Sequence, residues 1–310
     1  MLLALGVAIA FRFPRLDSLP PGLNFDEGGE GIAALDVTRG VLRLWWPIGG
    51  GKEPLMAYMV QPLFALFGPT RLALRLYAAL WGVATVLATY FLAAQLFPPR
   101  RKDDPLAPLL PAAAALGLAT AFWHVAYSRI AFRAISNPAV EALALGFLWR
   151  GLRTGRRRDF VLAGICTGGL IYTYQAGRFV PLAIALFFGV ESLRAWRAGV
   201  RPLLVRRWRG LATMVGAAAV VFLPAALFFL QHPAVFVERG RAASIFNPAM
   251  NHGDLWGTLW HTTLTTLGTF LSLTGDPNSL GNIPGKPELS PLLAALFVLG
   301  VILSSKFKVQ

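Results

Sequence analysis

The stretch Asn24-Phe25-Asp26-Glu27-Gly28-Gly29-Glu30 gathers acids in a chain that is otherwise hydrophobic and basic. Asp26 and Glu27 are adjacent, just past the first apolar segment, where a pair of carboxylates does little for folding. A carboxylate in that place is what a catalyst needs to take a proton from an acceptor or to hold a metal. The remaining segments are therefore read for what they anchor around this stretch.

Hydrophobic residues make up 55% of the 310 residues and charged residues 14%, and mean hydropathy is +0.57. A soluble domain has about a quarter of its residues charged. Several apolar runs approach the ~20 residues that span a bilayer, and the alternation of a membrane barrel is absent. The expected class is an all-α, polytopic membrane protein. The net charge of +14 lies in short clusters between apolar runs, the pattern of cytoplasmic loops beside anionic lipid, which argues against nucleic acid as a partner and for membrane lipids. The single cysteine, Cys166, excludes an internal disulfide and a cysteine-based metal site. No P-loop, Rossmann fingerprint, HExxH or Ser-His-Asp order is present, so no nucleotide cofactor is expected.

Residues 1–13 read as a partial first helix and 14–53 as a polar loop carrying Asp17, Asp26, Glu27, Glu30, Asp36 and Glu53. Within that loop 30–39 fits a short amphipathic helix ended by Gly40, Trp45 and Trp46 suit a headgroup-level anchor, and Gly49-Gly50-Gly51 permits a tight turn. Pro54 opens a short apolar helix that Gly68-Pro69 ends. Later apolar runs are 71–97, 106–126, 138–149, 160–176, 179–193, 211–230 and 290–303. If 54–67 lies flat on the outer face, then 100–102, 150–158 and 194–209, with three, five and six basic residues, all fall on the cytoplasmic side. The acidic loop, the stretch 127–137, the turn 174–178 and the loop 231–289 then share the outer face. That last loop is long enough to be a lid, with a helix expected near 255–273. The expected architecture is a bundle of about eight transmembrane helices, with two juxtamembrane helices in the first outer loop (14–70), forming one transmembrane domain over 1–310 of a plasma-membrane protein.

The order of these pieces resembles the GT-C superfamily of membrane glycosyltransferases, and within it glycosyltransferase family 39, the protein O-mannosyltransferases and bacterial aminoarabinose transferases. The resemblance rests on Asp26-Glu27 after the first helix, Gly51-Lys52-Glu53-Pro54-Leu55, Gly68 followed by Arg71 and Arg75, Ser128-Arg129 with Arg133, and Asn137-Pro138. It implies an enzyme that takes a sugar from a polyprenyl-phosphate carrier on the outer face and passes it to an acceptor protein, lipid or glycan. It implies Asp26 as base or acceptor-positioning residue with Glu27 beside it, and the Lys52-Glu53-Pro54 stretch near the carrier phosphate and, in some members, a divalent metal. Many members have Asp-Pro where this chain has Asn137-Pro138, and asparagine cannot act as a base. Full members continue with further spans and often a soluble domain, so the resemblance implies a chain truncated at its C-terminus.

Other residues have two readings each. Lys52 is a point charge for the carrier phosphate or half of an ordinary interfacial pair with Glu53. Arg129 and Arg133, four apart, offer a forked clamp for the polyprenyl phosphate or snorkel to phospholipid headgroups. Arg178, beside Tyr172 and Tyr174, is a similar candidate. Asn137 is a helix cap or a site residue by family position. His232 and Glu238 could join Glu53 around a metal or be plain loop polarity. Glu30 and Asp36 read as acids that favour a helix start, and His124 as hydrogen-bonded inside the bundle. The rival functions are a transporter or flippase for lipid-linked sugars, which calls for ionisable residues near the middle of its spans (Glu141 and Glu191 are the candidates), and a non-catalytic subunit that binds the lipid carrier.

Overall fold

A computed structural model describes residues 1–98, 108–275 and 283–306. The basic cluster 100–102 lies outside them. The regular elements of the described residues are all helices, and an isolated antiparallel bridge joins Trp46 to Lys52.

Helix α1 (Leu2–Arg12) leads through a loop into α2 (Phe25–Thr38), the bridged hairpin, and the short α3 (Leu55–Met59) and α4 (Gln61–Phe67). The longest helix, α5 (Arg71–Leu96), follows. The next apolar run is broken at Ala121 into α6 (Leu109–Thr120) and α7 (Phe122–Tyr127). After a 3-10 turn at Arg133–Ile135 come α8 (Ser136–Thr154) and α9 (Arg157–Gly169), then 3-10 turns at Leu170–Tyr172 and Gln175–Phe179. The rest comprises α10 (Val180–Arg197), α11 (Leu203–Arg206), α12 (Trp208–Gln231), α13 (Pro233–Ala243), α14 (Pro248–Asn251), α15 (Leu255–Phe270) and α16 (Pro291–Lys306).

Helix α5 packs against α6 and α8, α8 against α9, and α9 against α12, with α1 held between α5 and α6. The apposition of α9 and α12 uses small residues: a side chain at Gly168 would press on the Ala218 carbonyl at 2.5 Å, so the two backbones can meet closely. Pro224 interrupts α12, and the Tyr172 hydroxyl occupies the gap, donating to the Val221 carbonyl at 2.8 Å and accepting from the Ala225 amide at 3.3 Å.

Three helical stretches among the described residues are long and apolar enough to cross a membrane: Arg71–Leu96, Gln175–Arg197 and Trp208–Gln231. The other expected spans are shorter, broken as at Ala121, or polar at their ends, as in α8 with Arg150 and Arg153 and α9 with Arg157, Arg158 and Asp159. The chain is a multi-pass, all-helical membrane protein.

Basic groups gather at one end of the bundle. Arg153 donates to the carbonyl and side chain of Gln95, at the end of α5, and Arg207 donates to the Leu152 carbonyl, at the end of α8. The acidic stretch lies at the opposite end, where Arg75 in the first turns of α5 meets Glu27.

Candidate functional site

Three local readings change once the backbone is known. Helix α2 starts at Phe25 rather than near residue 30, because Asn24 and Glu27 form a reciprocal cap: the Glu27 amide donates to Asn24 Oδ1 at 2.8 Å and the Asn24 amide to Glu27 Oε2 at 3.1 Å. Asp26 and Glu27 therefore sit in the first turn of a helix, where its dipole favours negative charge. Trp46 is buried rather than at a headgroup, its indole N–H donating to Asp36 at 3.1 Å. Asn137 caps nothing: it lies inside α8, accepting from the Thr173 hydroxyl at 3.0 Å and reaching Glu141 at 3.4 Å.

Glu27 is fully buried and fully bonded. Its Oε1 accepts from Arg75 Nε at 2.9 Å and the Ala131 amide at 3.0 Å, and its Oε2 from the Asn24 amide and from Arg75 Nη2 at 3.3 Å. A carboxylate accepts about four hydrogen bonds, so none is left for a substrate. Arg75 completes its own set on the carbonyls of Leu16, Pro20 and Gly22. This pair pins the loop after α1, the start of α2 and α5 to one another.

Asp26 is the exposed neighbour. Its side chain is 28% exposed and its Oδ1 lies 3.4 Å from Lys52 Nζ. Lys52 is itself buried, reaching Glu30 Oε1 at 3.2 Å. The lysine comes from the hairpin Trp46–Lys52, whose tip Gly49-Gly50-Gly51 has positive φ throughout; that region is costly for other residues. Its stem then crosses α2 at Gly29, where a Cβ would stand 2.6 Å from Lys52 Cε.

Behind Lys52 lies Arg133. Its Nη1 donates to Glu30 Oε1 at 2.8 Å, its Nε to Glu53 Oε2 at 2.6 Å and its Nη2 to the Gly51 carbonyl at 3.0 Å. The rings of Tyr174 and Phe132 lie 5.3 and 5.4 Å from its guanidinium carbon, in cation–π range. Burial holds the Glu30 carboxyl above its ordinary range, with Arg133 and Lys52 pulling it back. Burial lowers the Arg133 pKa, but Glu30 and Glu53 more than offset it, and the net shift is upward. The network counts Asp26, Glu30 and Glu53 against Lys52 and Arg133, an excess of one acid. Glu30 Oε2 and Glu53 Oε1 are buried without a hydrogen-bond partner.

Arg129 stands apart from this network. It donates to the carbonyls of Phe11, Arg12, Pro14 and Leu19 and so closes the end of α1. Nearby, His124 Nδ1 lies 2.8 Å from buried Arg12, within the bundle as expected. Arg178 differs from Arg75, Arg129 and Arg133. Only its Nη1 is bonded, to the Phe236 carbonyl at 2.7 Å, while its Nε and Nη2 are buried without a partner.

The three side chains expected around a metal do not meet. Glu53 has one oxygen on Arg133, His232 is stacked on Phe228 with its Nδ1 on that residue's carbonyl, and Glu238 is exposed on α13. Among the described residues no group of three or more His, Cys, Asp or Glu side chains is placed to hold a metal ion. This donor set does not fit a three-ligand site.

The sequence reading missed Arg75 as the partner of Glu27, and Glu30 as the shared anion of Lys52 and Arg133. The first had a signal: Asn24 three residues before Glu27 is a capping pattern, which places one of two adjacent acids toward the protein. The second had none, because it depends on the hairpin folding back over α2.

No family model and no curated protein matches the chain. Among solved structures it is similar to ArnT from Cupriavidus metallidurans, in the apo state with a TM-score of 0.59 and bound to undecaprenyl phosphate with a TM-score of 0.60. Identity is 19% in both, and the match covers 99% of this chain and 60% of ArnT, so the chain spans about three fifths of that protein's length. At this identity the likeness is one of fold, an all-helical membrane bundle shared with ArnT.

Proposed function

We propose that the chain is a membrane glycosyltransferase that moves a sugar from a polyprenyl-phosphate-linked donor to an acceptor hydroxyl on a protein, lipid or glycan at the extracytoplasmic face. The observation that carries this reading is the charge network whose one part-exposed acid is Asp26, held beside Lys52 at the start of α2. The fold shared with ArnT, which has been solved with undecaprenyl phosphate bound, supports the choice of donor.

In this reading the acceptor oxygen attacks the anomeric carbon while Asp26 takes the hydroxyl proton. The bond from that carbon to the phosphate oxygen breaks, and the phosphate leaves with the electron pair as an anion, so no strong general acid is needed. The transition state resembles an oxocarbenium ion, as in glycosidases. Glu27 acts through position, fixing the first turn of α2 on Arg75. Glu30 holds Lys52 and Arg133, and Glu53 holds Arg133. The transporter alternative gains nothing from its two candidate acids: Glu191 accepts from the Leu203 amide with both oxygens, and Glu141 lies in the second turn of α8 beside Asn137.

The test is release of free polyprenyl phosphate from polyprenyl-phosphate sugars by the purified protein in nanodiscs with acceptors supplied. Asp26→Asn is expected to lower release about 10²–10⁴-fold, the usual worth of a general base, with an unchanged melting curve. Turnover by that variant at the wild-type rate would sink the proposal.

A further inference from the structure

We infer that helix α15 lies in the bilayer surface at the acidic end of the bundle, with its apolar stripe in the lipid and its threonine face toward water and protein. This owes nothing to the glycosyltransferase reading. The helix is built inside out for a chain surrounded by water. At about 100° per residue, Trp256, Trp260, Leu264 and Leu267 fall in one narrow stripe, and Thr258, Thr262, Thr265 and Thr269 lie opposite. The apolar stripe is the exposed one: Trp256 is 75%, Trp260 67%, Leu264 49% and Leu267 52% exposed, whereas Thr269 is buried and Thr258 and Thr265 are half-buried. An amphipathic helix of a soluble protein turns the other way, with its apolar stripe on the core. Four large side chains in one stripe are also unlike apolar residues scattered singly over a surface; a contiguous patch marks an interaction site.

The bilayer is the occupant that fits. Tryptophan and leucine on one helix face suit the boundary between headgroups and acyl chains. The helix is fastened at that level: the Phe270 ring meets Trp123 of α7 at 6.4 Å, and the Thr269 carbonyl accepts from the Glu288 amide at 3.2 Å, just before α16 starts. Helix α16 leaves Leu292, Leu296 and Leu299 exposed, as α12 leaves Leu223, Leu227 and Leu230. These are the faces that a membrane bundle gives to lipid, and the stripe on α15 continues them. The helix is too short and too polar to cross. Its 16 residues make about 24 Å against ~30 Å of hydrocarbon, and six of them are threonine. Between Leu255 and Phe270 there is no Asp, Glu, Lys or Arg, and Asp254 serves as the cap, accepting from the Gly257 amide at 2.8 Å. The attachment therefore rests on apolar burial and not on attraction to anionic headgroups, which sets α15 apart from basic surface helices.

The experiment takes the full chain with Cys166→Ala, adds Trp260→Cys, Leu264→Cys or Thr262→Cys, and attaches an environment-sensitive fluorophore to each thiol in phosphatidylcholine nanodiscs. All three positions are exposed, so the label displaces no protein, and the melting curves should match that of the Cys166→Ala parent. One quencher is a phosphatidylcholine with a nitroxide on its acyl chain; the other is iodide in the water. The labels at 260 and 264 should be quenched by the lipid nitroxide at least ~threefold more than the label at 262, and the label at 262 by iodide at least ~threefold more than the other two. Adding phosphatidylglycerol should leave both ratios unchanged. Iodide quenching at 260 and 264 equal to that at 262 overturns the inference, because the stripe is then bare to water. Shielding of 260 and 264 from both quenchers also overturns it and means that protein, a second copy or another chain, covers the stripe. Equal lipid quenching at all three positions places the whole helix inside the bilayer and overturns its surface placement. Lipid quenching that appears only with phosphatidylglycerol overturns the apolar basis of the attachment.

Discussion

Asp26 and Glu27 are neighbours in sequence, yet about 100° of helix rotation separates their side chains. Glu27 turns inward onto Arg75, both essentially without solvent exposure, while Asp26 stays partly exposed beside Lys52. Their substitutions should therefore fail in different ways. Glu27→Gln leaves a buried guanidinium without its counter-charge, which costs about 3–5 kcal/mol; a clear drop in the unfolding temperature in detergent is expected, with any loss of activity following from it. Asp26→Asn should melt like the wild type. Equal melting temperatures for all three proteins would mean that the Glu27–Arg75 pair does not hold α2 to α5. The acidic stretch itself was legible in the sequence as a place for chemistry. The division of labour within it was not, because a loop reading gives adjacent acids no fixed directions, whereas the cap between Asn24 and Glu27 gives them two.

At the scale of elements, helix centres were legible and helix ends were not. Apolar runs located α5, α10 and α12 to within a few residues, since burial in lipid demands length and apolarity together. The break at Ala121 and the interruption at Pro224 left weaker traces, because what repairs a broken helix comes from elsewhere in the chain. Tyr172 illustrates this: its hydroxyl bridges the Val221 carbonyl and the Ala225 amide across the break in α12. Tyr172→Phe should leave both backbone groups short of a partner, at about 1 kcal/mol for a half-buried bond. A small but measurable fall in thermal stability is expected, together with faster amide exchange at Ala225; exchange at the wild-type rate would show that α12 satisfies itself without the tyrosine.

At the scale of the whole molecule, charge distribution carries the orientation. The loops around Arg153 and Arg207 meet at one end of the bundle, and the Asp26 network occupies the other. Loops rich in arginine stay in the cytoplasm, and on that rule Asp26 is expected on the outside. Neither end of that inference needs the catalytic reading, so it can be tested by itself. Cys166, the sole cysteine, is half-buried and is first replaced by alanine. Ser18→Cys then places a thiol on the exposed loop after α1, and Arg157→Cys places one at the exposed start of α9. A membrane-impermeant maleimide added to intact cells should label Ser18→Cys and leave Arg157→Cys unlabelled until the membrane is opened. The opposite pattern would put the acidic network in the cytoplasm, where an outward-facing sugar transfer has no place. Labelling of both thiols in intact cells would mean that the two ends of the bundle do not lie on opposite sides of the membrane.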